Sequence, residues 1–148
     1  VFAPFTAHED HLVRLQLADL ALDTPQCNGV TTTADALTAG IPVLTCAGST
    51  PIQRMGASLL RSAGLDELIV DDLTQYEFLA LDLLRAPAKL GQLKQKLQGN
   101  RATTPFFQPQ DWVRTFEAAL QQLWQRHCAG LPPAPLNIRA ETPHLTHP

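Results

Sequence analysis

The chain has 148 residues, 45% hydrophobic, 17% charged and 6% aromatic, enough apolar material for one compact core and little for a second. Eleven Lys and Arg against fourteen Asp and Glu leave a net charge of -3, without the basic excess that phosphate neutralisation demands of a nucleic-acid binder. No apolar run approaches the roughly 18 residues of a membrane span, and the first residues, VFAPFTAHEDH, lack the basic start and long apolar stretch of a secretory signal, so a soluble chain is expected. Three cysteines, Cys27, Cys46 and Cys128, form neither a disulfide framework nor a C-x-x-C zinc pair, which suits a reducing, cytoplasmic setting.

Along the chain, HEDHLVR crowds His8, Glu9, Asp10, His11 and Arg14 into the first predicted helical turn. QLADLALD, Gln16 to Asp23, has the apolar density of a buried strand, and TPQCNG after it supplies loop punctuation. A helix is predicted next: Thr31, Thr32 and Thr33 are N-cap candidates, Ala34 to Ala39 is a helical run, and Gly40 is its expected end. Ile41 to Thr45 reads as a second strand, Ile52 to Ala63 as a helix stopped by Gly64, and Leu68 to Val70 as a short third strand. Strand, helix, strand, helix, strand predicts an α/β fold with a parallel sheet covered on both faces.

Beyond Asp72 the pattern is helical: Thr74 to Arg85, a break at Pro87, Ala88 to Leu97, then Trp112 to Cys128 with Trp112, Phe116, Leu120, Leu123 and Trp124 on one face. These helices are expected to pack back onto the sheet, with the aromatic face as core and partner docking as the alternative. One unit is expected over residues 1–130. The remainder, 131–148, carries five prolines without periodicity and reads as extended or disordered.

Charge is uneven. Residues 1–82 hold eleven acids and three bases, Arg14, Arg54 and Arg61, whereas Leu83 to Gln110 holds five bases and no acid. The basic stretch, with Arg85, Lys89, Lys94, Lys96 and Arg101, reads as the outer face of an amphipathic helix, or alternatively as a contact for an acidic partner.

The informative stretch is DTPQCNGVTTTADALTAG: a strand end, a polar loop and a helix whose first turn offers unpaired amides. Such amides and the helix dipole favour a phosphate or carboxylate, and the loop lies at the carboxyl edge of the sheet, where open α/β folds bind ligands. Thr31, Thr32 and Asp35 share one face, so a phosphate at the threonine amides leaves attached ribose hydroxyls within reach of the Asp35 carboxylate. Thr32-x-x-Asp35 is also the spacing of a capping box that binds nothing. His8 and His11 lack a third metal ligand and the H-E-x-x-H spacing; with Arg14 they form either a base-stacking group or a solvated charged face. No G-x-G-x-x-G, P-loop or G-x-S-x-G motif is present.

Three separated segments, QLADLALDTPQCNGVTTTADALTAGIPVLT, RMGASLLRSAGLDELIV and TPFFQPQDWVRTFEAALQQLWQR, resemble, in order, the C-terminal part of the O-linked N-acetylglucosamine transferases, from about Phe2 to about Gly130. The resemblance implies the donor-binding C-terminal lobe of a two-lobed B-type glycosyltransferase, Rossmann-like, with tetratricopeptide repeats upstream. Such enzymes move N-acetylglucosamine from a UDP-sugar to Ser or Thr of an acceptor protein without a required metal or other cofactor. By similarity His11 and Arg14 lie against the uracil, Thr31 and Thr32 hold the diphosphate and Asp35 bonds to the ribose. No catalytic residue is assigned, and neither a nucleic-acid nor a membrane partner is implied. Two departures stand out. Val30 occupies the position where the family commonly has a histidine, and the expected upstream lobe, with its phosphate-binding lysine, lies outside the chain, so transfer by the chain alone is not expected. A fold-retaining binding module and a B-type enzyme with another acceptor are the competing expectations.

Overall fold

The computed structural model describes residues 3–138, and residues 139–148 of the proline-rich segment lie outside the described residues. It separates into two compact units, Val1–Phe107 and Gln108–Pro148.

The first unit runs α1 (His8–Leu15), β1 (Ala21–Leu22), α2 (Thr31–Ala39), β2 (Val43–Cys46), α3 (Met55–Ser62), β3 (Ile69–Val70), α4 (Leu73–Arg85) and α5 (Pro87–Asn100). Short 3-10 turns at Ile52–Arg54, Asp66–Leu68 and Pro105–Phe107 lead into α3, into β3 and out of the unit. The strands form a parallel sheet in the order β1-β2-β3, with Ala21 opposite Val43 and Thr45 opposite Ile69. This is the predicted alternation of strands and helices.

β2 is buried at every residue, as a central parallel strand must be when helices cover both faces. It starts later than the apolar run suggests because Gly40, at φ 86°, closes α2: its amide bonds to Leu37 O, and the Ile41 amide to Ala36 O. A left-handed residue there costs glycine nothing. Pro42 has no N–H to add to the ladder. The principal core gathers Leu37, Val43, Leu60, Leu65, Leu68, Leu83, Leu90 and Leu97 from α2, β2, α3, the turn before β3, α4 and α5.

The first predicted strand is much shorter than Gln16 to Asp23. Turn bonds from Gln16 N to Val13 O, Leu17 N to Arg14 O and Ala18 N to Leu15 O carry the α1 exit into this run, leaving Ala21 and Leu22 for the ladder. Leu17 is exposed, whereas Ala18, Leu20 and Ala21 pack against the core. The apolar run therefore serves two different local structures.

The basic residues of α5 have partners in this chain. Lys94 Nζ donates to Ala18 O at 3.0 Å and Asp19 at 2.9 Å, Lys96 pairs with Glu67 at 2.7 Å, and Lys89 with Asp82 at 2.7 Å. These contacts support the reading of an amphipathic outer face that ties α5 to neighbouring elements.

In the second unit α6 (Pro109–Cys128) is followed by residues 131–138 without regular structure. No residue of α6 is buried: Trp112 is 63% and Trp124 65% exposed, and the Trp112 and Phe116 rings stack at 5.0 Å. Among the described residues the aromatic face of α6 is exposed, so the expected core role is not met.

Candidate functional site

The candidate site begins where β1 ends. Asp23 follows the last strand residue, and its amide still pairs with Leu44 O at 3.0 Å, which holds it at the carboxyl edge of the sheet. Its buried carboxylate accepts bonds from the Thr24 amide (2.9 Å), the Gly29 amide (2.7 Å) and the Thr45 hydroxyl (2.7 Å). A buried charge is tolerated when its lone pairs are met in this way. Asn28, also buried, donates from its side chain to Thr24 O at 3.1 Å and accepts the Gly56 amide at 3.2 Å. The Tyr76 hydroxyl from α4 donates to Asp23 O at 2.8 Å. Burial first, and the nearby charges of Asp23 and Cys46 after it, push the Tyr76 phenol up to about 12, so this donor keeps its proton throughout the neutral range.

These bonds shape the loop that delivers the chain into α2. The helix starts at Thr31 with Val30 as its N-cap, no side chain caps it, and its first turn holds no acid. The Thr32-x-x-Asp35 capping box is therefore not formed. The amides of Thr31, Thr32 and Thr33 are the orphan donors of this turn, and none of them donates to a side chain among the described residues. Thr31 and Thr32 are exposed while Thr33 is buried. A Cβ at Gly29 would collide with Thr32 Oγ1 and lie 3.0 Å from Thr33 Oγ1, so a side chain there requires the threonines to shift.

From the other side, α1 lies against α2. Arg14 Nη1 donates to Pro4 O at 2.9 Å, and Nη2 meets His11 Nδ1 at 3.1 Å, so the guanidinium and the imidazole are held as one group. His8 Nε2 stands 3.8 Å from Asp35 Oδ1, across the gap between the helices. The Asp35 side chain is only 17% exposed against 64% for His8, so the carboxylate is seated and the ring is the freer partner.

The sequence-predicted residues thus fall into two structural groups. Thr31, Thr32 and Asp35 share the opening turns of α2, and His11 pairs with Arg14 on α1. His8 bridges the two helices, a link that its spacing from His11 does not reveal. Among the described residues no group of three His, Cys, Asp or Glu is placed to hold a metal ion. Sequence reasoning missed Asp23, Asn28, Thr45 and Gly56, which hold the loop. Their only sequence signal is an Asp and an Asn flanking a short loop that ends in glycine, a pattern common to many turns. Cys46, at the end of β2, is buried, and burial first, then the charges of Asp72 and Asp71, push its thiol up.

Chemically, the arrangement offers free amides and two exposed hydroxyls for an anion, a seated carboxylate for a diol, and a paired cation and aromatic ring for a planar group. No helix among the described residues is long and apolar enough to cross a membrane.

Comparison with known proteins gives this geometry a family. Residues 1–116 match glycosyl transferase family 41. The chain is 37% identical over 134 residues to a probable UDP-N-acetylglucosamine--peptide N-acetylglucosaminyltransferase SEC of Arabidopsis thaliana, covering 90% of this chain and 14% of that protein. It is 33% identical over 144 residues to the UDP-N-acetylglucosamine--peptide N-acetylglucosaminyltransferase of Caenorhabditis elegans, covering 97% of this chain and 12% of that one. A solved O-GlcNAc transferase mutant from Thermobaculum terrenum superposes with a TM-score of 0.80 at 31% identity, over 87% of this chain and 25% of its own. The chain therefore spans only 12–14% of the length of these two curated relatives. The parallel sheet with flanking helices is the Rossmann-like fold of a B-type glycosyltransferase lobe. With a family match across most of its length and a shared fold, the chain belongs to glycosyl transferase family 41.

Proposed function

We propose that this chain is the donor-nucleotide side of a protein O-glycosyltransferase that moves N-acetylglucosamine from UDP-N-acetylglucosamine to Ser or Thr of acceptor proteins. The observation that carries the reading is the uncapped start of α2, held open by the Asp23–Gly29 bond and flanked by Asp35. In this reading the amides and hydroxyls of Thr31 and Thr32 receive the diphosphate, Asp35 accepts from the ribose hydroxyls, and the His11–Arg14 pair stacks on and donates to the uracil. Acceptor binding and the transfer itself then belong to the remainder of a longer protein, as the small share of the relatives' length suggests.

Mechanistically, the positive end of α2 opposes the charge that develops on the UDP leaving group as the glycosidic bond breaks, a role that requires no divalent cation. The effect accelerates transfer to the extent that it is stronger in the transition state than with bound donor.

Calorimetry with UDP tests the reading. Saturable binding is expected, weakened about tenfold or more in Asp35→Ala, since a hydrogen bond to a charged group contributes about 1.5–3 kcal/mol. A flat titration of the wild-type chain removes the proposal. The second reading, a binding module that has kept the fold, draws on Val30, an apolar and exposed residue at the N-cap of α2. UDP binding without sugar transfer in the full-length protein would favour it.

A further inference from the structure

α3 turns Gly56, Ala57 and Leu60 inward, and its other face borders an open cavity of about 540 Å³. That volume is ordinary for a ligand cleft, for which the range is roughly 300–1,000 Å³. Arg54 and Arg61 line it with Ser49 and Ser58, Pro51 and Met55 supply an apolar part of its wall, and no acid lines it. Residues 1–82 hold only three bases, and one of them, Arg14, is committed to Pro4 O and His11. The other two therefore border one cavity in an otherwise acid-rich stretch of the chain. Arg54 pairs with no acid among the described residues, and Arg61 meets Asp66 only at 3.8 Å, with both side chains more than half exposed. Such an exposed pair contributes little and gives way to a better-placed carboxylate.

The helix period places these groups. Arg54 is the N-cap of α3, and Ser58 and Arg61 follow at helical spacing, which sets all three along one stripe. Seven residues of helix rise about 10 Å, so the two arginines stand two turns apart.

We propose that this cleft is a docking surface for an acidic segment of a partner protein, with Arg54 and Arg61 each receiving a carboxylate and Ser58 bonding to the peptide backbone between them. In an extended polyproline II segment, residues three apart share a face and lie about 9 Å apart, so a Glu-x-x-Glu pair matches the two arginines. Each guanidinium takes its carboxylate through two parallel bonds, and Pro51 and Met55 offer apolar contact to the stems between the charges. Other polyanions fit less well. Two cations are too few for a membrane surface, which calls for clusters of about 4–8, and a net charge of -3 opposes the phosphate backbone of a nucleic acid. A lone phosphate leaves the two-turn spacing unused. None of these residues is assigned to the donor nucleotide, so UDP binding serves as an independent control.

The test is fluorescence anisotropy of labelled Pro- and Ser-rich peptides carrying Glu-x-x-Glu, Gln-x-x-Gln or two adjacent Glu, at low ionic strength. The proteins are wild type, Arg54→Gln, Arg61→Gln, and the double Gln and double Lys variants at these two positions. Wild type is expected to bind the Glu-x-x-Glu peptide about fivefold or more tightly than either control peptide, with affinity falling as salt rises. Each single Gln variant weakens this binding about threefold to fivefold, and the double Gln variant brings it to the level of the Gln-x-x-Gln peptide. The double Lys variant keeps part of the affinity, because the charge remains without the bidentate fork. Both arginines are exposed, so thermal midpoints and UDP titrations of the variants are expected to match wild type. Equal binding of the three peptides, or undiminished binding by the double Gln variant, overturns the proposal. So does tighter binding of inorganic phosphate, an RNA oligonucleotide or phosphatidylserine vesicles than of the Glu-x-x-Glu peptide. A flat UDP titration beside intact peptide binding removes the donor reading alone.

Discussion

At Gly56, in the first turn of α3, the backbone passes beside the buried Asp23 carboxylate. A Cβ added there would collide with Asp23 Oδ2, fall 2.5 Å from Thr45 Oγ1 and lie 3.1 Å from Thr45 Cβ. Neither neighbour moves cheaply, because the Thr45 hydroxyl donates to Asp23 at 2.7 Å and both residues are buried. For Gly56→Ala, overpacking costs about 1–3 kcal/mol and disturbing a buried bond to a carboxylate about 1.5–3 kcal/mol more, against a gain in helix propensity of about 1 kcal/mol at most. The net expectation is a loss of about 1.5–5 kcal/mol, or a fall in thermal midpoint on the order of 10 °C or more for a unit of this size. Gly91→Ala in α5 is the matched control, since nothing lies within 4 Å of an added Cβ; it is expected to stabilise by about 0.5–1 kcal/mol. Urea and thermal unfolding followed by circular dichroism measure both. The Gly56 amide also donates to Asn28 in the α2 entry loop, so Gly56→Ala is expected to weaken UDP binding as well. If Gly56→Ala is as stable as Gly91→Ala, the description of a crowded, hydrogen-bonded floor beneath the loop is wrong.

Tyr76→Phe removes the bond to Asp23 O and is expected to cost about 1 kcal/mol in denaturant unfolding at neutral pH. The folded phenol, pushed up to about 12, lies above its unfolded value of about 10. Its stability contribution is therefore complete below pH 10 and is lost as pH rises towards 12. Stability measured over that interval should fall in wild type and show a shallower decline in Tyr76→Phe; equal slopes would remove this assignment. At the start of α4 the Asp72 carboxylate accepts the Gln75 amide at 2.8 Å, and this bond, the largest influence, holds its pKa below the ordinary value. Asp72 therefore supports α4 above about pH 4, and the support is lost as pH falls below that value. Asp72→Ala should lower the helical signal near neutrality and flatten the acid limb of the stability profile, and an unchanged acid limb would contradict the cap.

Periodicity and punctuation made the alternation of helices and strands legible, because apolar spacing and the glycines at 40 and 64 are local signals that survive without tertiary context. The same locality explains the misreadings. Gln16 to Asp23 is uniformly apolar enough for a strand, yet the exit of α1 claims its first residues, a competition between neighbouring elements that composition does not register. The aromatic stripe of α6 has core spacing, but spacing states which residues share a face and not what covers that face.

At the candidate site, the chain alone determined that three threonines and an aspartate open a helix after a polar loop, since one helical turn brings residues three and four apart onto one face. Tertiary structure decided whether that helix is capped, and by what. Val30 takes the N-cap, Asp23 spends its buried carboxylate on the Gly29 amide and Thr45, and α1 brings His8 to Asp35. The Asp23–Thr45 and His8–Asp35 contacts join residues that are distant in the chain, and only the packing of α1, α2 and β2 around the end of β1 brings them within hydrogen-bonding or electrostatic range.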